Sequence, residues 1–272
     1  MRLFKISLLI ISAASGLFAQ GIQYATEAEL KEQISAVPCT KNTDRMAAVR
    51  DLFIKAGAAA DDIKVDKLKD VDNLVITKPG KTSEKIIVGA HYDRTNDGCG
   101  AIDNWTGIVI MANIYRTLRP LNTNKTYVFV AFGREEEGLY GSKAMAEQIK
   151  KEDRPSYCAM VNFDSYGMGY PQVMRNISSQ PLIDLAASVS KDIKIPFAQA
   201  SIDWASSDSA PFLDKGIPAI SLHGLNSRWE EYLHSAADKV ANVNIQSLNV
   251  GYRHGVFFLA KLEGSPCSAF RK

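Results

Sequence analysis

The chain has 272 residues, 46% hydrophobic and 23% charged, the composition of an ordinary globular protein with material for one large buried core or two small ones. Its 32 basic and 30 acidic residues leave a net charge of +2, which excludes a basic field of the kind that holds nucleic acid or an anionic membrane. Four histidines and four cysteines leave few combinations able to form a metal site.

Residues 1–19 have the pattern of a cleavable secretory signal: Arg2 and Lys5 give a basic start, 6–11 is mostly apolar, and small residues lead to Leu17-Phe18-Ala19. A membrane anchor needs about 20 continuous apolar residues. This run is shorter and is broken by Ser12, Ser15 and Gly16. The expected organisation is a signal peptide over 1–19 and one folded domain over 20–272, secreted or periplasmic, with no membrane association after cleavage. Export permits disulfides. Cys99 and Cys158 are expected at opposite ends of a strand, roughly 20 Å apart, and so not to pair. Cys39 and Cys267 lie near the ends of the mature chain, which in many domains are close, and are expected to pair.

After the signal, residues 26–37 and 44–58 carry apolar residues at helical spacing, with Thr26 and Asp44 as caps and Gly57 near a stop. From Ile63 the period changes, and 63–68, 73–77 and 85–90 read as strands separated by turns such as Lys78-Pro79-Gly80. A helix over 104–118, a strand over 125–132, a helix over 140–150 and a strand over 158–164 follow. Then come a short strand over 172–175, a helix over 181–191, an extended piece over 195–199, a buried strand over 218–223 and a closing helix over 243–262. This alternation predicts an α/β fold with crossover connections and a mixed, largely parallel central sheet.

Chemistry-bearing residues follow the apolar strands. Ile86-Ile87-Val88-Gly89-Ala90 leads into His91-Tyr92-Asp93, and the next helix is entered through Ala101-Ile102-Asp103-Asn104. The strand over 125–132 delivers Glu135 and Glu136, Ala159-Met160-Val161-Asn162-Phe163 delivers Asp164, and the polar loop 229–238 carries His234. In open α/β sheets, ligands bind at the carboxyl ends of strands. Imidazoles and carboxylates without cysteine suit zinc in a water-accessible site. Plainer readings exist for each residue: Asp103 as a helix cap, His91 as a hydrogen-bonded core residue, Asp164 in a turn with Gly167, His234 at the surface, and the triplet Glu135-Glu136-Glu137 as a solvated cluster. All of these would have to hold together at one edge of one sheet.

These residues resemble the secreted dizinc aminopeptidases of the bacterial leucine-aminopeptidase type, clan MH zinc exopeptidases whose relatives include glutaminyl cyclases. The resemblance covers most of the mature chain. It rests on Gly89-Ala90-His91-Tyr92-Asp93, Ala101-Ile102-Asp103-Asn104 with Gly107, Glu135-Glu136-Glu137-Gly138-Leu139-Tyr140-Gly141-Ser142, Asn162-Phe163-Asp164, Ser207-Asp208 with Phe212 and Gly216-Ile217-Pro218-Ala219, and His234 with Asp238. It implies a single three-layer α/β/α domain over 20–272 and two zinc ions per chain. Asp103 would bridge the ions, His91 and Asp164 would complete one site, and Glu136 and His234 the other. Glu135 would be the general base and acid acting on a water shared by the ions, with Asp93 orienting His91. The implied substrate is a peptide with a free amino terminus, and the implied state a monomer.

Three departures from the family pattern stand out: Arg134 before the glutamate pair, Ser209 after Asp208, and Trp105, which is expected to narrow the cleft. Tyr166, Met168, Trp204, Phe212 and Trp229 are candidates for the side-chain pocket. Two rival readings remain open: a single-zinc glutaminyl cyclase using Asp103, Glu136 and His234, and a catalytically silent binding module.

Overall fold

Eight strands form one sheet in the order β1-β2-β4-β3-β5-β8-β6-β7. The structure is a computed structural model describing residues 23–68, 70–201 and 205–271, so the expected signal peptide lies outside the described residues. The strands are β1 (Ile63–Leu68), β2 (Val71–Lys78), β3 (Lys85–His91), β4 (Thr126–Phe132), β5 (Tyr157–Phe163), β6 (Gln172–Met174), β7 (Ala198–Ala200) and β8 (Ala219–His223). The centre, β4-β3-β5-β8, is parallel, and β1 with β2, β2 with β4, and β6 with β8 are antiparallel. The sheet is therefore mixed and parallel at its core, as the alternation of elements predicts.

The helices are α1 (Glu27–Ser35), α2 (Asn42–Lys55), α3 (Thr106–Leu118), α4 (Tyr140–Gln148), α5 (Gln180–Asp192), α6 (Ala210–Asp214) and α7 (Ile245–Glu263). Successive strand residues point to opposite faces. Ile86, Val88 and Ala90 of β3 join Phe129 and Ala131 of β4 and Val161 and Phe163 of β5 in a large core shared with α1, α2, α3, α5 and α7. Ile87, Val130, Phe132 and Met160 face the other way, into a smaller core with Ala146 of α4 and Phe212 of α6. Both faces of the central strands are covered, which is why those strands read as continuous apolar runs.

Local differences from the sequence reading have local causes. Thr26 caps α1 in a reciprocal box with Glu29. Asp44 is not the cap of α2, which begins at Asn42; its carboxylate instead accepts the Thr40 hydroxyl at 2.7 Å. Of the extended piece over 195–199 only Ala198 and Gln199 join the sheet, in a strand that runs on to Ala200; Pro196, before it, has no N–H for the ladder. Helix α6 has five residues, too few to show a period.

The expected Cys39–Cys267 bridge is wrong: the disulfides are Cys39–Cys99 and Cys158–Cys267. Cys39 lies between α1 and α2, beside the loop that follows β3 at the carboxyl end of the sheet. Cys267 follows α7 beside the start of β5, at the opposite end. Proximity of chain ends fails here because the two terminal segments pack at opposite ends of the strands. Among the described residues, no helix is long and apolar enough to cross a membrane.

Candidate metal centre

Strand register brings the candidate residues together. His91 pairs with Phe132 across β3 and β4, and Gly89 pairs with Asn162 across β3 and β5. His91 and Asp164 therefore leave neighbouring strands at the same level, and Glu135 and Glu136 follow three and four residues beyond Phe132. The loop from Asp93 to Gly100 folds back over this edge and presents Asp103 just before α3. Arg45 of α2, fully buried, pins that loop by donating to the carbonyls of Tyr92, Cys99 and Gly100. Gly107 lets α3 come close: a Cβ there would lie 2.3 Å from the Phe163 carbonyl oxygen.

At this edge Asp103 lies between two histidines. Its Oδ1 is 3.1 Å from His91 Nε2, which is 3.5 Å from Asp164 Oδ1. Its Oδ2 is 3.2 Å from His234 Nε2, which is 3.1 Å from Glu136 Oε2. His91, Asp103 and Asp164 form one group with ligand atoms all within 4.8 Å of one another, and Asp103, Glu136 and His234 form a second. Asp103 thus offers one oxygen to each group. Glu135, with His91 and Glu136, makes a third overlapping set.

Electrostatics argue that the cluster is incomplete without cations. Burial pushes the Glu135 carboxyl well above its ordinary range; neighbouring His91 opposes this, while Asp208, Asp164 and Asp103 reinforce it. Burial, together with the charge of Asp103, pushes Glu136 up to about 7. Burial alone would raise Asp103, but the two histidines outweigh it and hold that carboxyl low. Glu136 Oε1 is buried with no hydrogen-bond partner among the described residues, and so is His91 Nδ1. Clustered carboxylates, imidazole nitrogens and an orphaned buried oxygen fit divalent zinc, whose ligands are nitrogen and oxygen of these kinds.

A surrounding layer grips the backbone of these residues. Asp93 accepts the N–H of Glu135 at 3.0 Å and of Glu136 at 3.1 Å. It lies 3.5 Å from His91 Nδ1, so its hold on the glutamate turn is tighter than its hold on the imidazole. Asp238 accepts the N–H of Ile102 at 2.6 Å and of Asp103 at 3.2 Å. Ser207 donates to Asp164 Oδ2 at 2.5 Å, and Asn104 Oδ1 accepts the N–H of Ser165. Arg134 turns away from Glu135: its guanidinium pairs with Glu137 at 2.7 Å and lies over the Tyr140 ring. Ser209, buried, donates to the Ile177 carbonyl and contacts the Ser221 hydroxyl, filling its space with a small side chain.

Beside the carboxylates opens a cavity of about 200 Å³. Of the expected pocket aromatics, Trp229 lines it; Tyr166 and Phe212 are core residues, Met168 packs against the core, and Trp204 lies outside the described residues. The expectation that Trp105 narrows the cleft is wrong. Its ring is buried beneath α1, where Nε1 donates to the Gln33 carbonyl, so Asp103 and Trp105, two residues apart, serve opposite sides of the same turn. Sequence reading missed Met174, Leu225, Leu233 and His223, which line the cavity as well. His223 ends the apolar strand β8 and could have been found by the rule used for His91.

The family model described as Peptidase family M28 matches residues 73–253. A relative named probable leucine aminopeptidase, from Arthroderma otae, is 28% identical over 215 residues, 71% of this chain and 58% of that protein. The chain therefore spans a little over half the length of such curated relatives. A solved zinc aminopeptidase from Bacillus subtilis is similar in fold at a TM-score of 0.64 and 22% identity, covering 70% of this chain and 49% of that one. A glutaminyl cyclase from an Acidobacteriales bacterium is similar at a TM-score of 0.75 and 16% identity, covering 88% and 94%. At these identities the structural likeness concerns the fold.

Proposed function

Because the chain belongs to peptidase family M28, we propose that it is an exported zinc aminopeptidase that holds two zinc ions and removes the amino-terminal residue of peptides. The observation that carries this reading is Asp103, whose two carboxylate oxygens face two separate groups of ligands. His91 and Asp164 would complete one ion's shell, and Glu136 and His234 the other. The ions, when bound, acidify water held at the site and polarise the scissile carbonyl.

The chain's own residues supply the rest. Glu135 lies three residues beyond the end of β4, its N–H is fixed by Asp93, and its carboxyl stands beside the two ligand groups, where a general base must be. Glu135 takes one proton from water as the water oxygen adds to the carbonyl carbon. As the C–N bond breaks, Glu135 returns that proton to the leaving amine. Asp93 and Asp238 keep the two backbone turns in register with each other. A cavity of about 200 Å³ beside the carboxylates suits one residue rather than a chain passing through, which favours an exopeptidase.

Export is part of the same reading, with residues 1–19 as a cleavable leader and 20–272 as the catalytic domain. The signal pattern supports it, and so do two disulfides, which persist in oxidising compartments. The test is metal analysis of the purified protein combined with turnover of aminoacyl fluorogenic substrates, with and without chelator. Two zincs per chain with chelator-sensitive release of the amino-terminal residue is expected. One zinc with pyroglutamate formation would replace the hydrolase by a cyclase, and an inert protein would leave a binding module.

A further inference from the structure

The loop 93–100 has no regular secondary structure, yet it leads to Asp103 and lies against the segment that carries His234. Cys99 donates its N–H to the Asp238 carbonyl at 2.7 Å. Asp238 in turn accepts the N–H groups of Ile102 and Asp103 on its carboxylate and donates its own N–H to the Ser235 carbonyl at 3.0 Å. At Gly98 the packing is so close that a Cβ would stand 2.3 Å from the Ser235 carbonyl oxygen. Cys99 is thus joined through Asp238 both to the backbone of Asp103 and to the turn that follows His234, whose side chain is 59% exposed.

From the other side, the residues between α1 and α2 tie the same loop down. Thr40 accepts from Arg94 at 3.1 Å, Arg45 links the Pro38 and Cys99 carbonyls at 3.2 and 2.9 Å, and the Cys39–Cys99 disulfide adds a covalent tie. Cys39 is exposed. The other disulfide lies at the opposite end of the sheet, with Cys158 0% and Cys267 7% exposed.

We propose that the Cys39–Cys99 bridge is a positioning element of the metal centre, so that zinc is held tightly only once this bridge has formed. The inference rests on the metal-centre reading and adds a redox condition to it. Without the bridge, hydrogen bonds alone hold an irregular loop against its conformational entropy, and local opening becomes more populated in the folded protein. An ion that needs the closed arrangement then binds more weakly, in proportion to the fraction of molecules closed. The ion assigned to Asp103, Glu136 and His234 takes the larger loss, because opening moves Asp103 and His234 together, whereas His91 and Asp164 are set by strands β3 and β5. The bridge forms when the Cys39 thiolate attacks a disulfide oxidant and the Cys99 thiolate displaces the resulting mixed disulfide. Two electrons pass to the oxidant, which takes up the two protons the cysteines gave up and leaves as a dithiol. A chain still in a reducing compartment is thereby a weak zinc binder.

The test measures zinc loss to a chelator of known affinity from three loaded proteins: wild type, the double variant Cys39→Ala with Cys99→Ala, and the double variant Cys158→Ala with Cys267→Ala. The last controls for lost stability alone, since its bridge closes the longer stretch, a sequence separation of 109 against 60, and by chain entropy stabilises at least as much. Removing the Cys39–Cys99 bridge should weaken at least one zinc about 10-fold or more, with the control unchanged from wild type. Equal affinities in all three, or equal losses in both variants, overturn the positioning role and leave the metal centre standing. Wild type that binds no zinc overturns the metal centre itself. Should the first variant fail to fold, loaded wild type is treated with a phosphine reductant under native conditions, blocked with iodoacetamide and measured again. Label should then appear on Cys39 and Cys99 first and zinc affinity should fall with it; label on that pair without loss of affinity, or on Cys158 and Cys267 first, overturns the proposal.

Discussion

Two buried polar clusters sit at opposite ends of the same sheet, and they are built on opposite principles. At the amino end, Glu263 of α7 accepts the N–H of Asn124, the N–H of Lys125 and the Tyr127 hydroxyl, while Lys125 Nζ reaches the carbonyls of Glu263 and Ser265 at 2.9 and 2.8 Å. Lys78 nearby donates to Thr123 at 2.8 Å. There one carboxylate meets three donors, and the neighbouring ammonium of Lys125 meets two backbone carbonyls. At the carboxyl end, Asp103, Glu135, Glu136 and Asp164 meet chiefly one another and two imidazoles, and Glu136 Oε1 has no hydrogen-bond partner among the described residues. Buried polar groups cost little when fully satisfied and much when not. The cluster that closes on itself joins a helix end to the sheet, and the cluster left open belongs to the proposed metal site.

The sharpest way to break this contrast is at Glu135. Its substitution by Gln should lower kcat on the order of 10²–10⁴-fold while metal content and fold persist; equal turnover in a steady-state assay would remove it from the mechanism. The mirror experiment is Glu263→Ala. Deleting the carboxylate leaves the N–H groups of Asn124 and Lys125 without their acceptor and costs the Tyr127 hydroxyl its partner at 3.1 Å, and urea denaturation should show a loss of about 3–5 kcal/mol, summed over these groups, with kcat of the folded enzyme intact. If catalysis fell and stability did not, the roles given to the two clusters would be exchanged.

A smaller effect concerns a buried titratable group outside both clusters. His254 of α7 donates from Nε2 to the Ala186 carbonyl at 3.2 Å and stacks on Phe197 and Phe258, and burial depresses its pKa from 6.5 to about 4. The native state therefore resists a proton that the unfolded chain accepts. Stability from this group is complete above pH 6.5 and declines as pH falls from 6.5 towards 4, by roughly 3 kcal/mol in total. Urea midpoints over that range should fall more steeply for wild type than for His254→Phe. Parallel curves would mean that His254 titrates normally. The smallest of the four effects is expected from Asp93→Asn, which keeps the shape but weakens the grip on the Glu135–Glu136 backbone: about 10–100-fold in zinc affinity or kcat/KM, read by competition with a chelator.

The parts of this molecule that could be read in advance share a physical cause. Strands β3, β4 and β5 are covered on both faces, so their apolar runs are unbroken, and the polar residue ending each run marks the sheet edge. That made His91, Asp164 and the Glu135–Glu136 pair visible together. The same coverage hides which face a residue occupies, because no polar alternation records it. Hence His223 reads as the end of a core strand, and Tyr166 and Phe212, open in the sequence to either the pocket or the core, belong to the core. Trp105 failed for another reason: its neighbours in sequence line the site, but the turn before α3 sends its ring beneath α1. The division of the acidic triplet was half legible. The strand end separated Glu135 from Glu136, whereas the pairing of Arg134 with Glu137 depends on a left-handed turn, with φ 55° at Arg134, that composition does not announce.

The two disulfides have a consequence for how the protein is made. They join the cysteines in order of synthesis, first with second and third with fourth, closing loops with sequence separations of 60 and 109 that do not overlap. In a chain exported as proposed, an oxidant meeting it as it emerges would find Cys39 and Cys99 before Cys158 appears, so first-come pairing would already be native pairing. Maturation of this protein should then depend on an oxidase and be indifferent to a disulfide isomerase, a division of labour that nested or crossed bridges do not permit.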